Sequence, residues 1–275
     1  MRKIFSLYGA TGFIGSNFCK IYDCEQVPRE QRSPSLDNII YMISTTHNYH
    51  VLDNSYIDIE TNLLTLMKTL DACRDSKIDC FNFISSWFVY GDTKLPAHER
   101  SDCNPKGFYS ITKHCAENLV ISYCKTFNIK YRILRLCNVY GNIDKGSSKK
   151  KNALQHLIEK MKKGEEISLY DGGEFYRNYM HVEDVCRAIY LVCENGKTDE
   201  IYNIASVNNY MFKDIIKIAI DELKYSGKIR TIDPPDFHKT VQVKDMSMCS
   251  AKIRSIGFKE SISIEEGIRE LCKIS

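Results

Sequence analysis

No stretch of the chain approaches the roughly eighteen consecutive apolar residues of a membrane span. Charge of one sign is also missing, since 38 Lys and Arg stand against 35 Asp and Glu, a formal net charge of +3. The first absence excludes a spanning helix. The second removes any argument for nucleic acid or a bulk membrane surface as partner. The dense basic run at 147–152 (SSKKKN) reads as a solvated loop edge. Despite 12 cysteines, there is no Cys-x-x-Cys pair and no Cys/His metal spacing, so no metal is expected. Cys115, Cys137, Cys186 and Cys193 fall singly in apolar segments, where thiols behave as small hydrophobes. That usage fits reduced thiols inside a cell. Glycines interrupt the short apolar run at the N-terminus that would otherwise imitate a signal peptide. The expected location is the cytoplasm. Internal repeats, low-complexity tracts and flexible interdomain linkers are absent too, so 275 residues read as one large domain or a domain with an appended lobe.

What is present begins with strand, glycine turn and helix. Residues 3–7 form a short apolar run ending in GATGFIG, followed by an amphipathic stretch through about Tyr22. Gly9, Gly12 and Gly15 permit tight backbone geometry and the close approach of a pyrophosphate to a helix N-terminus. With Thr11, Phe13 and Ile14 they are the candidate cofactor turn. The next stretch is short: EQVPREQRSPSLD leads at once to the apolar strand NIIYMI and then STT. A dinucleotide fold normally fits a second strand, a helix and a third strand here, and only 25–28 can be a remnant of the second. No aspartate stands where one would grip the adenosine ribose. Arg29 and Arg32 suit a 2′-phosphate and tilt the reading to NADP over NAD, with Glu30 left open as a ribose partner.

Residues 57–73 carry apolar positions at three and four spacing and read as one helix. CFNFI at 80–84 reads as a buried strand ending in Ser85 and Ser86. The segment FYSITKHCAEN follows as a helix, with Tyr109 and Lys113 four apart on one face. Bringing a tyrosine from its usual pKa of about 10 to near 7 takes roughly 4 kcal/mol, and a nearby ammonium supplies part of it. The pair is then an acid/base able to move a proton on a sugar hydroxyl, although the same spacing is common on exposed helices. Residues 131–136 form another strand, ending in CNVYGN. Alternating strands and helices predict a parallel α/β sheet, whose ligands sit beyond the strand carboxyl ends. The glycine turn, Ser44, Thr45, Ser86 and Asn138 all lie at such ends. Beyond Asn152, a helix (ALQHLIEKMKKG), a strand (EISLY), the segment DGGEFYRNYMHVEDV and a closing amphipathic helix complete the chain.

These motifs resemble, in order and over almost the whole chain, an extended short-chain dehydrogenase/reductase of the NAD(P)-dependent epimerase/dehydratase family that acts on nucleotide sugars. GATGFIG matches the cofactor turn, SSWFVYGD the serine strand, YSITK the Tyr-x-x-x-Lys helix, LRLCNVYG the substrate strand and GGEFYRNYMHVEDV the Arg-Asp-Tyr-x-His-Val-x-Asp-Val segment. SAKIRSIGFKE resembles the family's closing Lys-x-x-x-Leu-Gly-(Trp/Phe) pattern. The resemblance implies a Rossmann-type doubly wound parallel sheet, shortened between strands 1 and 4, with a small C-terminal α/β substrate lobe. Residues 1–142 and 178–204 would form the dinucleotide-binding domain, and 143–177 with 205–275 the lobe.

Carried across, Tyr109 is the acid/base, Lys113 lowers its pKa and holds the nicotinamide ribose, and Ser86 bonds the reacting sugar oxygen. Asn138 contacts substrate and Arg177 pairs with a nucleotide diphosphate. Ser44 and Thr45 border the cofactor, and His181 is structural. Trp87 and Phe88 replace the Asp-Glu pair that dehydratases carry after the catalytic serine, which speaks against dehydration; Trp87 either stacks on a sugar or is packing. Met42, Ile43, Ser44 and Thr45 stand where His-Leu-Ala-Ala is usual, and Asn142 replaces a proline. The expected activity is a 4-keto reductase or epimerase of a nucleotide-linked hexose, in deoxysugar or polysaccharide biosynthesis, using NAD or NADP. A non-catalytic protein that kept the fold to bind a dinucleotide or nucleotide sugar is the alternative. Helices 61–73 and 109–126 are those the family packs into a homodimer.

Overall fold

Large apolar residues that alternate to both sides make the central sheet. The computed structural model describes residues 5–141 and 152–274; Asn142 and all of the basic run except Asn152 lie outside the described residues. In chain order the first strands are β1 (Ser6–Tyr8), β2 (Glu25–Val27), β3 (Asn38–Tyr41), β4 (Cys80–Ser86) and β5 (Lys130–Leu136). They are joined by α1 (Phe13–Ile21), α2 (Ile57–Ile59), α3 (Thr65–Asp75) and α4 (Phe108–Phe127). After them come β6 (Asn138–Tyr140), α5 (Ala153–Lys162), β7 (Ile167–Tyr170), β8 (Tyr176–Arg177) and β9 (Tyr179–His181). Next are α6 (Val182–Asn195), β10 (Glu200–Ile204), β11 (Tyr210–Met211), α7 (Phe212–Leu223) and β12 (Ile229–Ile232), and α8 (Asp236–Val241), α9 (Ala251–Ser255) and α10 (Ile264–Lys273) close the chain.

Six strands pair in the order β10-β5-β4-β3-β1-β2, and every pair is parallel. Leu7, Ile40, Ile84, Leu134 and Ile204 point to one face, where Phe18 of α1 and Val185, Ile189 and Val192 of α6 cover them. Tyr8, Ile39, Tyr41, Phe81, Phe83 and Ile133 point to the other, against Leu66 and Leu70 of α3 and Ala116 and Val120 of α4. Burial on both faces is the doubly wound arrangement that the alternating order implies. The predicted remnant of a second strand is β2, an edge strand of three residues. A third core joins α5, β7, α7 and α10 through Leu154, Ile158, Ile167, Ile215, Ile216, Ile268 and Leu271.

The segment expected as one uniform helix at 57–73 differs in its middle. A π-helical turn, Glu60–Leu64, separates α2 from α3. Such a turn takes up one extra residue and is common where a side chain must be re-aimed. Here it accompanies the inward side chains of Asp58 and Asn62, both buried.

Helix α4 is set against the sheet by an ion pair. Arg135 of β5 donates through Nε and Nη2 to the two carboxylate oxygens of Glu117, at 3.0 and 2.6 Å, and Ser85 Oγ of β4 donates to the same carboxylate. Burial pushes the Glu117 carboxyl up, but His114, with Nδ1 3.7 Å from the carboxylate, and the hydrogen bonds from Arg135 and Ser85 outweigh it and leave its pKa below the usual value. Glu117 therefore stabilises the fold above the unfolded carboxyl pKa of about 4.3, and this contribution is lost as pH falls through the depressed folded value. Breaking a buried pair costs about 3–5 kcal/mol. Arg135→Met should lower the urea midpoint by a corresponding amount with an unchanged slope, as followed by far-UV circular dichroism.

Candidate active site

At the carboxyl edge of the sheet the chain opens a cleft of about 540 Å³, within the range of small-molecule sites. One wall is the glycine turn. Gly9 adopts φ +84°, and a Cβ on Gly15 would lie 2.3 Å from the Gly9 carbonyl oxygen, so a side chain at either position would strain or displace the turn. Gly12 is the N-cap of α1 and offers no side-chain cap. The first-turn N–H groups of Phe13, Ile14 and Gly15 therefore have no intrahelical acceptor, and these residues line the cleft. This is an anion cradle in residue type and in shape, and it fits a dinucleotide pyrophosphate.

The floor comes from strand ends. Ser44 and Thr45 follow β3, Ser86 closes β4 and Asn138 opens β6; all four line the cleft. Ser86 Oγ accepts from the Phe88 amide at 3.3 Å and faces the Tyr109 phenol. Trp87 stacks on Phe88 with ring centroids 3.9 Å apart, and Phe88 meets Tyr109 edge-on at 5.6 Å. The position after the serine is thus an aromatic wall.

Tyr109 and Lys113 are both nearly fully buried. Their protonation runs against the expectation drawn from the spacing. Burial pushes the Tyr109 phenol up to about 12, opposed by the Ser86 and Ser44 hydroxyls and assisted by the charge of Asp58. Lys113 is turned away: its ammonium donates to the Ile84 carbonyl at 2.6 Å and sits 4.1 Å from the Phe83 ring centroid. Burial lowers it to about 7, with Glu117 opposing. A shared helix face brings the two side chains to one cleft, but the ammonium finds its acceptor on β4 and does not depress the phenol.

Of the residues singled out from sequence, Gly9, Gly12, Phe13, Ile14, Gly15, Ser44, Thr45, Ser86, Trp87, Tyr109, Lys113, Asn138 and Arg177 border the same cleft. Thr11, Arg29 and Arg32 do not. Arg29 is exposed and Arg32 half-buried, and the Arg32 guanidinium bonds the carbonyls of Arg29 and Gln31. Arg177 lines the cleft with its guanidinium engaged: it donates to the carbonyls of Tyr176, Val243 and Lys244 and lies 4.7 Å from the Phe175 ring centroid. Asn138 donates its amide to the Asn178 carbonyl at 3.0 Å. His181 caps α6, accepting from the Glu183 amide.

Sequence reasoning missed several groups. His156 and Lys160 of α5 enter the cleft, their four-residue spacing being the available signal. Tyr49 and His238 also line it and meet at 2.6 Å, from positions 189 residues apart that no local pattern connects. Among the described residues no Asp or Glu borders the cleft, while Lys113, Lys160, Arg177, His47, His156 and His238 do. Such a lining favours anionic ligands.

Comparison with known proteins adds identity. The family model for the NAD dependent epimerase/dehydratase family matches residues 31–205. A trifunctional UDP-glucose 4,6-dehydratase/UDP-4-keto-6-deoxy-D-glucose 3,5-epimerase/UDP-4-keto-L-rhamnose-reductase of Arabidopsis thaliana is 27% identical over 86% of this chain, which spans only 35% of that protein. The low-salt glycan biosynthesis protein Agl12 of Haloferax volcanii is 30% identical over 86% of this chain and 74% of its own length. A UDP-glucose 4-epimerase from Thermotoga maritima, solved with UDP-glucose, superposes with a TM-score of 0.86 at 21% identity over 98% of this chain and 97% of its own. The matched residues 31–205 make up more than half of the chain, and the chain belongs to the NAD dependent epimerase/dehydratase family.

Proposed function

We propose that the protein is an NAD(P)-dependent oxidoreductase of a nucleotide-linked sugar, a 4-keto reductase or epimerase of deoxysugar or polysaccharide biosynthesis, with Tyr109 as its acid/base. The observation that carries this reading is the convergence of the uncapped α1 N-terminus, Ser86 and Tyr109 on one cleft that no Asp or Glu borders among the described residues. Gly12, Phe13, Ile14 and Gly15 hold the pyrophosphate of the dinucleotide, which when bound supplies or accepts the hydride. Ser86 Oγ accepts a hydrogen bond from the Phe88 amide and so keeps its own hydroxyl proton for the sugar oxygen. Tyr109 exchanges the proton that accompanies hydride movement. Trp87 and Phe88 present neither acid nor base, so expulsion of a hydroxyl has no helper there. Lys160, His156 and Arg177 border the cleft on the side of α5 and β8, and a nucleotide diphosphate answers to that charge.

Tyr109→Phe removes only the proton-bearing oxygen. A loss of about 10²–10⁴ in kcat is expected, measured by dinucleotide absorbance with a UDP-4-keto-6-deoxyhexose; unchanged turnover would remove Tyr109 from the chemistry.

Cofactor preference is checked by denaturing freshly purified protein, identifying any released dinucleotide, and titrating the emptied protein with NADH and NADPH. NADPH is expected to bind more tightly, with the preference weakened in Arg29→Ala; equal affinities in both proteins would place the discrimination elsewhere.

The helices predicted to form a dimer interface, 61–73 and 109–126, carry exposed Leu64 and Ile111, preceded by exposed Ile59 and Phe108, and α2, α3 and the intervening turn pack on α4. A homodimer accounts for that patch. Sedimentation velocity should give a dimer for the wild type and a folded monomer for Ile111→Glu.

A further inference from the structure

Two cysteines meet where α1 gives way to β2. Cys19 lies in the last turn of the helix, Cys24 immediately precedes the strand, and their sulfur atoms are 3.1 Å apart. Both are free thiols. The contact is made by the turn between them. Tyr22 ends the helix with extended backbone, and the returning chain lays Cys24 beside Cys19. Tyr22 stacks on Tyr190 of α6 with ring centroids 4.1 Å apart, which holds the turn in shape, while Lys20, Ile21 and Asp23 around it are exposed.

Burial divides the pair. Cys24 is 7% exposed, inside the core that α1 and α6 form with the sheet, whereas Cys19 is half-buried and packs against that core. A reagent arriving from solvent therefore meets Cys19 first and reaches Cys24 only through it. An accessible attacking thiol backed by a second, resolving thiol is the arrangement of a redox-responsive pair. A disulfide bond is about 2.05 Å long, so closing this pair takes a shortening of about 1 Å. The strand beside it has little else to hold it. β2 has three residues and pairs with β1 alone, and among the described residues no helix stands between β2 and β3.

We propose that Cys19 and Cys24 form a redox-active dithiol, which a small-molecule disulfide converts into an intramolecular disulfide that staples β2 to α1. The Cys19 thiolate attacks one sulfur of the reagent, whose sulfur–sulfur bond breaks to release one thiol. Cys24 then attacks the Cys19 sulfur and expels the second thiol. The protein gives up two protons and two electrons, and the reagent takes up both to become two thiols. In a reducing compartment such a bond is transient and reports the thiol–disulfide balance.

Glutathione disulfide is the probe. Folded protein is incubated with it, remaining thiols are alkylated, and peptides are mapped by mass spectrometry without reduction; the urea-unfolded chain shows that the reagent is active. In the wild type Cys19 and Cys24 should be joined, with glutathione on neither, and dithiothreitol should restore both thiols. Cys24→Ser blocks the second step and should leave glutathione on Cys19. Cys19→Ser, the milder change because this residue is half-buried, should leave Cys24 unmodified. Amide hydrogen exchange in Glu25–Val27 should slow when the wild type is oxidised and recover on reduction. Glutathione retained on wild-type Cys19, or both thiols untouched while the unfolded chain reacts, would overturn the dithiol. So would a bond from Cys19 to Cys186, which faces α1 from α6. Exchange in β2 unchanged by oxidation would overturn the staple.

Discussion

Helix α4 can be rotated about its axis in only one way because a carboxylate on it is buried against a guanidinium. Glu117 is matched by both Arg135 donors from β5 and by Ser85 from β4. Each alternative rotation would leave two charges in the interior without partners, and desolvation of that kind exceeds what repacking of alanine and valine could recover. Tyr109 lies two turns earlier on the same helix, and its direction into the cleft follows from that constraint. The aromatic wall of Trp87 and Phe88 follows directly on β4, the strand that carries Ser85, so the same contact places both sides of the reacting centre.

Sequence was informative wherever function requires a residue type at a local spacing. Gly9, Gly12 and Gly15 could be read because a turn and a helix start impose their positions over a few residues. Tyr109 and Lys113 could be placed on one face because helical geometry is periodic. What that spacing does not contain is the destination of a long side chain. Lys113 has four carbons of reach, and its ammonium is captured by the carbonyl of Ile84, a residue 29 positions away. Arg177 is similar: its residue type suggested a phosphate, while its donors meet carbonyls at 243 and 244. The π-helical turn was not visible either, because apolar spacing across Ile57–Ile59 and Thr65–Asp75 is close to that of a continuous helix.

The order of the strands was legible more completely than the site. A short remnant before β3 was expected and appears as β2 at the sheet edge, paired with β1 alone. The hydrogen bonds behind the cleft were not legible, because Ser44, Thr45, Asp58, Asn62 and Thr112 approach one another through the packing of residues 57–75 on α4 and β3. Their mutual hydrogen bonds depend on orientation, which no count of residue types supplies.

The π-helical turn also bears on which changes of length this chain can accept. A π-helical turn absorbs one residue beyond the α-helical count. Deleting one residue within Glu60–Leu64 would restore regular helical geometry and leave the segments on either side in their relative rotation. A further residue inserted there would have no such turn to absorb it, and at about 100° per residue it would carry Asp58 away from Thr45, which donates to it. Changes of length should therefore accumulate at 53–56, where the backbone is exposed, and within the next turn only the loss of one residue should be accepted.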